Sequence, residues 1–489
     1  MGQAHGSVIV FRMTKPTRLT LAGALLALGL GSAAAPALAA TTSAAVAQAA
    51  QTLTGTLPDG ATWKIEVPAN WNGTLFLYSH GYVTPGSPNP ATDAGDPATA
   101  AAMLAQGFAL AGSSYATTGW AIEQALPDQI ATLDIFDSQV GHATRTIAWG
   151  HSLGGIITAG LIQEFPNRFA GALPMCGVLS GGVATWNTAL DGAFAFQQLI
   201  DPSVQVVNIT IPPANPTANL ADAEAAAAAA QATAQGRARL ALSAALGDTP
   251  GWFTPLSPEP AANDFAAQEA NQFKWESQVD FPFAFFLRAE LEGRAGGNPS
   301  WNTGVNYFDD LRKSSDSAEV GALYKAAGLS LTKDLETLNH AARISANPAS
   351  VRYLEQNITF DGSLPGPVLT MHTIGDGLVV NQNEQAYASV VRRAGDPELL
   401  REIFVHRAGH CAFTPAETVT AAHVLLQRLD TGQWDAAALE PSQLNDAAAA
   451  LGPSLNVFRI GGQIVPTPPA FQAFYPTQYL RPFDRLMHN

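Results

Sequence analysis

Gly150-His151-Ser152-Leu153-Gly154 constrains this chain more than any other stretch, because of what flanks it. Thr144 to Trp149 is an apolar run of strand length that leads straight in. Ser152 to Phe165 leads out, with Leu153, Ile156, Ile157, Leu161 and Phe165 at helical spacing. A strand that becomes a helix within five residues must bend sharply, and the side chain at the tip is pushed out of the packed layers. Glycines on either side suit that bend, since a side chain there would meet the adjoining strand or helix.

The rest of the chain extends this pattern. Ala61 to Val67, Thr74 to Ser79, Phe108 to Ser113 and Ala170 to Cys176 read as further strands, separated by helical text. Such alternation predicts a mostly parallel sheet with helices on both faces. The rhythm stops near Ser180. Up to residue 365 the text is helical and aromatic, with Ala221 to Leu246 read as one alanine-rich helix. Trp252, Phe253, Phe273, Trp275, Phe281, Phe283, Phe285, Phe286, Trp301, Tyr307 and Phe308 follow. Strand and helix then resume with Pro367–Thr373, Gln382–Arg393, Leu400–His406 and Ala416–Leu429. Residues 61–180 and 366–435 are therefore expected to form one core interrupted by an insertion, 181–365. Residues 40–60 read as a flexible leader and 436–489 as an irregular extension broken by Pro466, Pro468 and Pro469.

Arg12, Lys15 and Arg18 precede an apolar run, Leu19 to Leu30, and then Ala35-Pro36-Ala37-Leu38-Ala39. This is the pattern of a signal peptide over 1–39 with cleavage after Ala39, and it predicts a secreted or periplasmic protein. No later stretch reaches 18 uncharged apolar residues, so no stable membrane span is expected after cleavage. With 25 Lys+Arg against 40 Asp+Glu the net charge is −15, which repels phosphate backbones and excludes nucleic acid as a partner. Cys176 and Cys411, the two cysteines, are too few for a structural zinc site. In an oxidising compartment they are either a disulfide or two separate buried thiols. No H-E-x-x-H or clustered His/Asp spacing appears, so neither a metal nor a cofactor is expected. Oligomeric state is not legible.

A serine hydroxyl becomes nucleophilic only when a nearby base takes its proton and a third group orients that base. Asp376 lies in Gly375-Asp376-Gly377-Leu378-Val379, just past the strand ending at Thr373. His410 lies in Ala408-Gly409-His410-Cys411, just past the strand ending near His406. Asp361 and His406 are the rival acid and base. Asp361 precedes the strand it would have to follow, and His406 is fixed at a strand end with little reach.

With Ser152, Asp376 and His410 in that order, the chain resembles the α/β-hydrolase superfamily over about Thr62 to Gly177 and Pro367 to Leu429. The resemblance implies an α/β-hydrolase fold, mostly parallel, with residues 181–365 forming a large helical cap inserted after the sixth strand. It implies Ser152 as nucleophile, His410 as base and Asp376 as its partner. In His80-Gly81-Tyr82, after the strand ending at Ser79, it implies an oxyanion loop. The backbone N–H groups of Tyr82 and Leu153 would be the donors, with His80 orienting the loop. A Cys176–Cys411 bond would pin the histidine loop near the serine, which is similar to tannases and feruloyl esterases. This chain departs from them in having His151, not cysteine, before the serine. His80, Tyr115, Trp120 and His151 are the expected pocket residues. The activity implied is a cofactor-free serine hydrolase acting on a carboxylic ester, small-molecule or polymer-derived, with a bulky apolar or aromatic group. Two alternatives stand beside it. One is a serine aminopeptidase in which Glu276, Asp280 or Glu290 receives the substrate amine, and the other is a catalytically silent binding module.

Overall fold

The computed structural model describes residues 49–210, 215–460 and 463–484; the expected signal peptide and the first part of the leader lie outside them. Its strands are β1 (Gln51–Thr56), β2 (Thr62–Val67), β3 (Thr74–Ser79), β4 (Ala109–Ser113), β5 (Arg145–His151) and β6 (Gly171–Met175). After a long helical stretch come β7 (Val368–Gly375), β8 (Leu400–Ala408), β9 (Val457–Ile460), β10 (Gln463–Pro466) and β11 (Phe471–Gln472). Nine of them form one sheet in the order β1-β2-β4-β3-β5-β6-β7-β8-β11, and β9 and β10 pair separately. From β4 to β8 neighbours run parallel. β1, β2 and β11 run antiparallel at the two edges. This is the α/β-hydrolase fold.

The central strands are buried on both faces, as a parallel sheet covered by helices requires. Along β3 the period of two sends Leu75 and Leu77 into one core with Ile156 and Ile157 of the helix Leu153–Glu164. Phe76 and Tyr78 enter the opposite core with Trp149 and Leu425 of the helix Pro415–Thr431. Each such side chain, wholly removed from water, stabilises the fold by about 1.5–3 kcal/mol.

Between β6 and β7 every regular element among the described residues is helical, from Gly181–Leu199 through Pro348–Gln356. Two segments there, Glu276–Asp280 and the phenylalanine-rich Pro282–Leu287, are wound as π-helix.

Three expectations about organisation are corrected. The leader predicted over 40–60 ends in β1, whose six residues pair with Thr62–Val67 in antiparallel register and turn Leu53 toward the core. The extension predicted to be irregular over 436–489 holds the helix Pro441–Ala450, the β9–β10 hairpin and β11, which adds to the β8 edge. Its prolines sit at or beyond strand ends, where no ladder donor is needed. The single helix predicted over Ala221–Leu246 is two, Pro216–Gln231 and Ala234–Leu246. Thr233 breaks the run by turning extended and accepting a hydrogen bond from the Gly236 N–H, which caps the second helix.

Candidate active site

β5 delivers Ser152. The serine backbone sits at φ 60°, ψ −123°, where a side chain is rarely tolerated, immediately before the helix Leu153–Glu164. The bend closes because its flanking glycines let the strands approach. A Cβ on Gly154 would lie 1.9 Å from the Ser79 carbonyl oxygen, and one on Gly150 2.5 Å from the same atom. The Ser152 N–H donates to the Met175 carbonyl at 3.0 Å. Across the bend, the His80-Gly81-Tyr82 loop passes so close that a Gly81 Cβ would stand 3.2 Å from the Ser152 Cβ.

β7 and β8 deliver the other two groups, and the structure brings all three together. Asp376 Oδ2 is 2.7 Å from His410 Nδ1, and His410 Nε2 is 2.7 Å from Ser152 Oγ. A carboxylate only accepts, so Nδ1 carries the imidazole proton and Nε2 is left to accept from the serine hydroxyl. Asp376 is fully buried, and burial alone would raise its pKa. The His410 and His372 imidazoles, together with their hydrogen bonds, outweigh that and hold it at about 2. Its other oxygen, Oδ1, accepts from the backbone N–H groups of Leu378 and Val379 at 3.1 and 3.0 Å. The rivals lie elsewhere. His406 is 2.8 Å from Glu259, and the Asp361 N–H donates to Gln163.

Sequence reasoning missed His372 and Glu384. His372 is wholly buried on β7. Its Nε2 donates to the Val379 carbonyl at 2.7 Å and its Nδ1 to Glu384 Oε1 at 2.8 Å, with Asp376 Oδ2 at 3.6 Å. Both ring nitrogens face acceptors, and the Glu384 and Asp376 carboxylates beside them favour the imidazolium. Burial opposes the charge, but the two carboxylates prevail and push its pKa up to about 10. A cation therefore stands behind Asp376. The available signal was a lone histidine inside an otherwise apolar strand, which is too common to be read as more than packing.

Cys176 and Cys411 form a disulfide with Cα atoms 5.4 Å apart, bridging 235 residues. Cys411 Sγ lies 3.4 Å from His410 Nε2. The bond thus ties the loop bearing the imidazole to the end of β6.

Ser152 opens into a cavity of about 140 Å³ between the sheet edge and the helical insertion. Tyr82, Leu153 and Trp120 line it from the core side. Trp186, Phe281, Phe283 and Phe285 line it from the insertion. Of the four residues expected in the pocket, Trp120 is there and three are not. His80 stacks on Tyr115 with ring centroids 4.0 Å apart, and its nitrogens face the Gly81 and Ser114 carbonyls. Tyr115 is buried with its hydroxyl donating to the His80 carbonyl. His151 turns away from Ser152, since neighbouring residues on the bend project oppositely. Its Nδ1 meets the Tyr78 hydroxyl at 3.2 Å, and burial lowers its pKa to about 4. Glu276 and Asp280 do line the cavity. Glu290 is instead held by Arg294 and by the Trp120 N–H.

Set against known proteins, the chain is 31% identical over 425 residues to an o-phthalyl amidase of Xanthobacter agilis, covering 81% of this chain and 90% of the relative. The chain belongs to this amidase family. It is a hydrolase of the α/β-hydrolase fold. No family model matches it. Among solved structures, the hydrolase aligns with an esterase of Aspergillus oryzae at 15% identity, covering 78% and 79% of the two chains with a TM-score of 0.36. It aligns with a lipase in open form at 14% identity, covering 78% and 98% with a TM-score of 0.37. Likenesses that slight carry no statement about activity. Among the described residues of the hydrolase, no helix is long and apolar enough to cross a membrane.

Proposed function

We propose that this hydrolase cleaves the carboxylic amide, and the corresponding esters, of an aromatic acyl group through an acyl-enzyme on Ser152. The observation that carries the reading is the unbroken run of contacts Asp376–His410–Ser152 at the mouth of an apolar cavity. The amide is preferred over the ester read from the sequence because the 31%-identical relative is an amidase named for an o-phthalyl group. Either bond is served by the same chemistry.

His410 Nε2 takes the Ser152 proton as Oγ attacks the carbonyl carbon, and Asp376 stabilises the resulting imidazolium. The backbone N–H groups of Tyr82 and Leu153 receive the developing oxyanion, each contributing about 3–4 kcal/mol in the transition state. His410 then returns the proton to the leaving amine. Water, activated by the same imidazole, releases the acid. Residues 181–365 act as a cap that walls the acyl group away from solvent. Residues 1–39 act as a cleaved export signal, and the Cys176–Cys411 bond suits an oxidising compartment.

An aminopeptidase reading draws on Glu276 and Asp280. Burial pushes both carboxyls well above the ordinary range, which disfavours the charged form that a substrate ammonium would need as its counterion. A silent binding module is opposed by the completeness of the contacts around Ser152. Ser152→Ala tests the proposal with p-nitroanilides and p-nitrophenyl esters of benzoic and phthalic acids. The expected loss in kcat is roughly 10⁴-fold or more. Retention of the parent rate on both series would refute it.

A further inference from the structure

Several polar groups lining the cavity have no partner in the protein. The indole N–H of Trp120 and that of Trp186 are both buried without an acceptor, and so is the phenol hydroxyl of Tyr82. The two tryptophans are 5% and 4% exposed, and all three side chains line the same cavity as Ser152. A buried donor without an acceptor costs about 1–3 kcal/mol. These three belong to side chains that line one cavity, where a ligand can bring the acceptor they lack.

The surroundings say what kind of acceptor. The Trp120 and Trp186 rings meet edge to face with centroids 5.6 Å apart. Behind Trp186, the Arg288 guanidinium sits 5.8 Å from the ring centroid, 1% exposed and paired with Glu292. A buried cation against the π-face draws electron density from the indole and strengthens its N–H as a donor. No lysine or arginine is among the residues lining the cavity. Glu276 Oε2, also without a partner, and Asp280 face the same space. Burial pushes both carboxyls well above the ordinary range, which weakens their repulsion of an anion there.

We infer that Trp120, Trp186 and the Tyr82 side chain form an anion subsite that holds a carboxylate carried by the aromatic acyl group, using neutral donors in place of a basic side chain. The inference rests on the reading of Ser152 as the acylated residue. It goes beyond that reading by assigning the specificity of the acyl side to three side chains. The placement is apt, since the same Tyr82 whose backbone N–H faces the oxyanion would reach an ortho substituent with its hydroxyl. As pH rises and Glu276 and Asp280 ionise, the subsite loses its preference, because two carboxylates then face a third.

The test uses three p-nitroanilides of matched shape, 2-carboxybenzoyl, 2-nitrobenzoyl and 2-(trimethylammonio)benzoyl. Each is assayed with the parent and with Trp186→Phe, Trp120→Phe and Tyr82→Phe. The parent is expected to favour the carboxylate over the nitro compound by roughly 100-fold in kcat/KM, and to turn over the cation least. Each variant should reduce the carboxylate-to-nitro ratio by roughly tenfold, with the loss in KM. Tyr82→Phe removes one oxygen only, which keeps the question open to measurement should a tryptophan variant fail to fold. A parent ratio within about twofold of one, or ratios unmoved in the folded variants, would overturn the inference. Preference for the cationic compound would overturn it in favour of Glu276 and Asp280. Phthalate and benzoate binding to Ser152→Ala, followed by calorimetry, needs no turnover. Tighter phthalate there stands even if the acyl-enzyme reading fails, and equal binding counts against the subsite alone.

Discussion

The surroundings of Asp376 and one cluster of acids in the helical insertion treat buried charge in opposite ways. In the core each buried carboxylate of the site has a cation or backbone donors opposite it. Asp376 lies between two imidazoles, and Glu417 takes both arms of Arg407 at 2.7 and 3.1 Å. In the insertion, Asp248, Glu276 and Glu319 are buried and Asp280 and Asp316 half-buried with other acids nearby, Asp376 itself in the case of Asp280. Burial raises all five, Asp316 to about 6 and Glu319 to about 9. Gln272 bridges part of the group by donating to Glu319 and Asp316. In the proposed mechanism Asp376 has to stay ionised, and its neighbours suit that charge. The insertion carries acids whose charged form burial disfavours, which couples its packing to pH.

The comparison breaks most sharply at Asp376. Asp376→Asn should leave the fold intact and lower kcat by roughly 10⁴-fold, because His410 loses its tautomer and its counter-charge. Rates on either substrate series, with circular dichroism as the control, decide it. Next in size is the disulfide. Cys176→Ser with Cys411→Ser should destabilise the protein by roughly 3–5 kcal/mol in denaturant unfolding, given the 235 residues it bridges. Activity should fall before the fold does, since the bond holds the imidazole loop. A double variant that unfolds and loses rate in parallel would contradict that order.

His372→Gln probes the cation behind the acid. It should cost roughly 2–3 kcal/mol of stability and lower kcat more than it raises KM. The sign with pH is set by the elevated pKa. The His372 contribution is complete below about pH 6.5 and is lost as pH rises through about 10, so the gap in melting temperature between parent and variant should close at the alkaline end. Smallest and opposite is Glu319→Gln. The raised carboxyl stabilises the fold below its ordinary pKa and ceases to as pH approaches about 9. The amide should therefore raise the melting temperature at pH 9 by about 2 °C and leave it unchanged at pH 5. A variant equally stable or less stable than the parent at pH 9 would show that the insertion does not carry its acids neutral.

Much of the core was readable because its signals are local. A strand, five residues and a helix locate Ser152, and glycine-flanked loops after later strands pick out Asp376 and His410. The insertion was poorly readable for a physical reason. Its helices bury aromatics on several sides, so periodicity does not say which of Phe273, Phe281, Phe283 or Phe308 faces the cavity; Phe281 and Phe283 do. Thr233 is an unremarkable residue until its hydroxyl is seen capping a helix, so the break after Gln231 left no trace in an alanine run. β1 and β11 were missed because short edge strands owe their pairing to a partner distant in sequence. His151, Tyr115 and His80 were placed in the pocket on nearness to Ser152 along the chain or the sheet edge, but side-chain direction at a tight bend depends on backbone angles that composition does not report.

The tail has a consequence for timing. β11 lies along β8, the Ala470 N–H donates to Glu417 at 2.9 Å, and the Pro468 carbonyl accepts from Arg407 at 3.0 Å. These contacts bracket the loop that carries His410. A chain still on the ribosome at residue 460 already holds Ser152, Asp376 and His410, yet the loop lacks its outer buttress. On the proposed mechanism competence thus waits for β11, and a nick near Pro466 in the finished protein is expected to slow chemistry that lies more than fifty positions upstream.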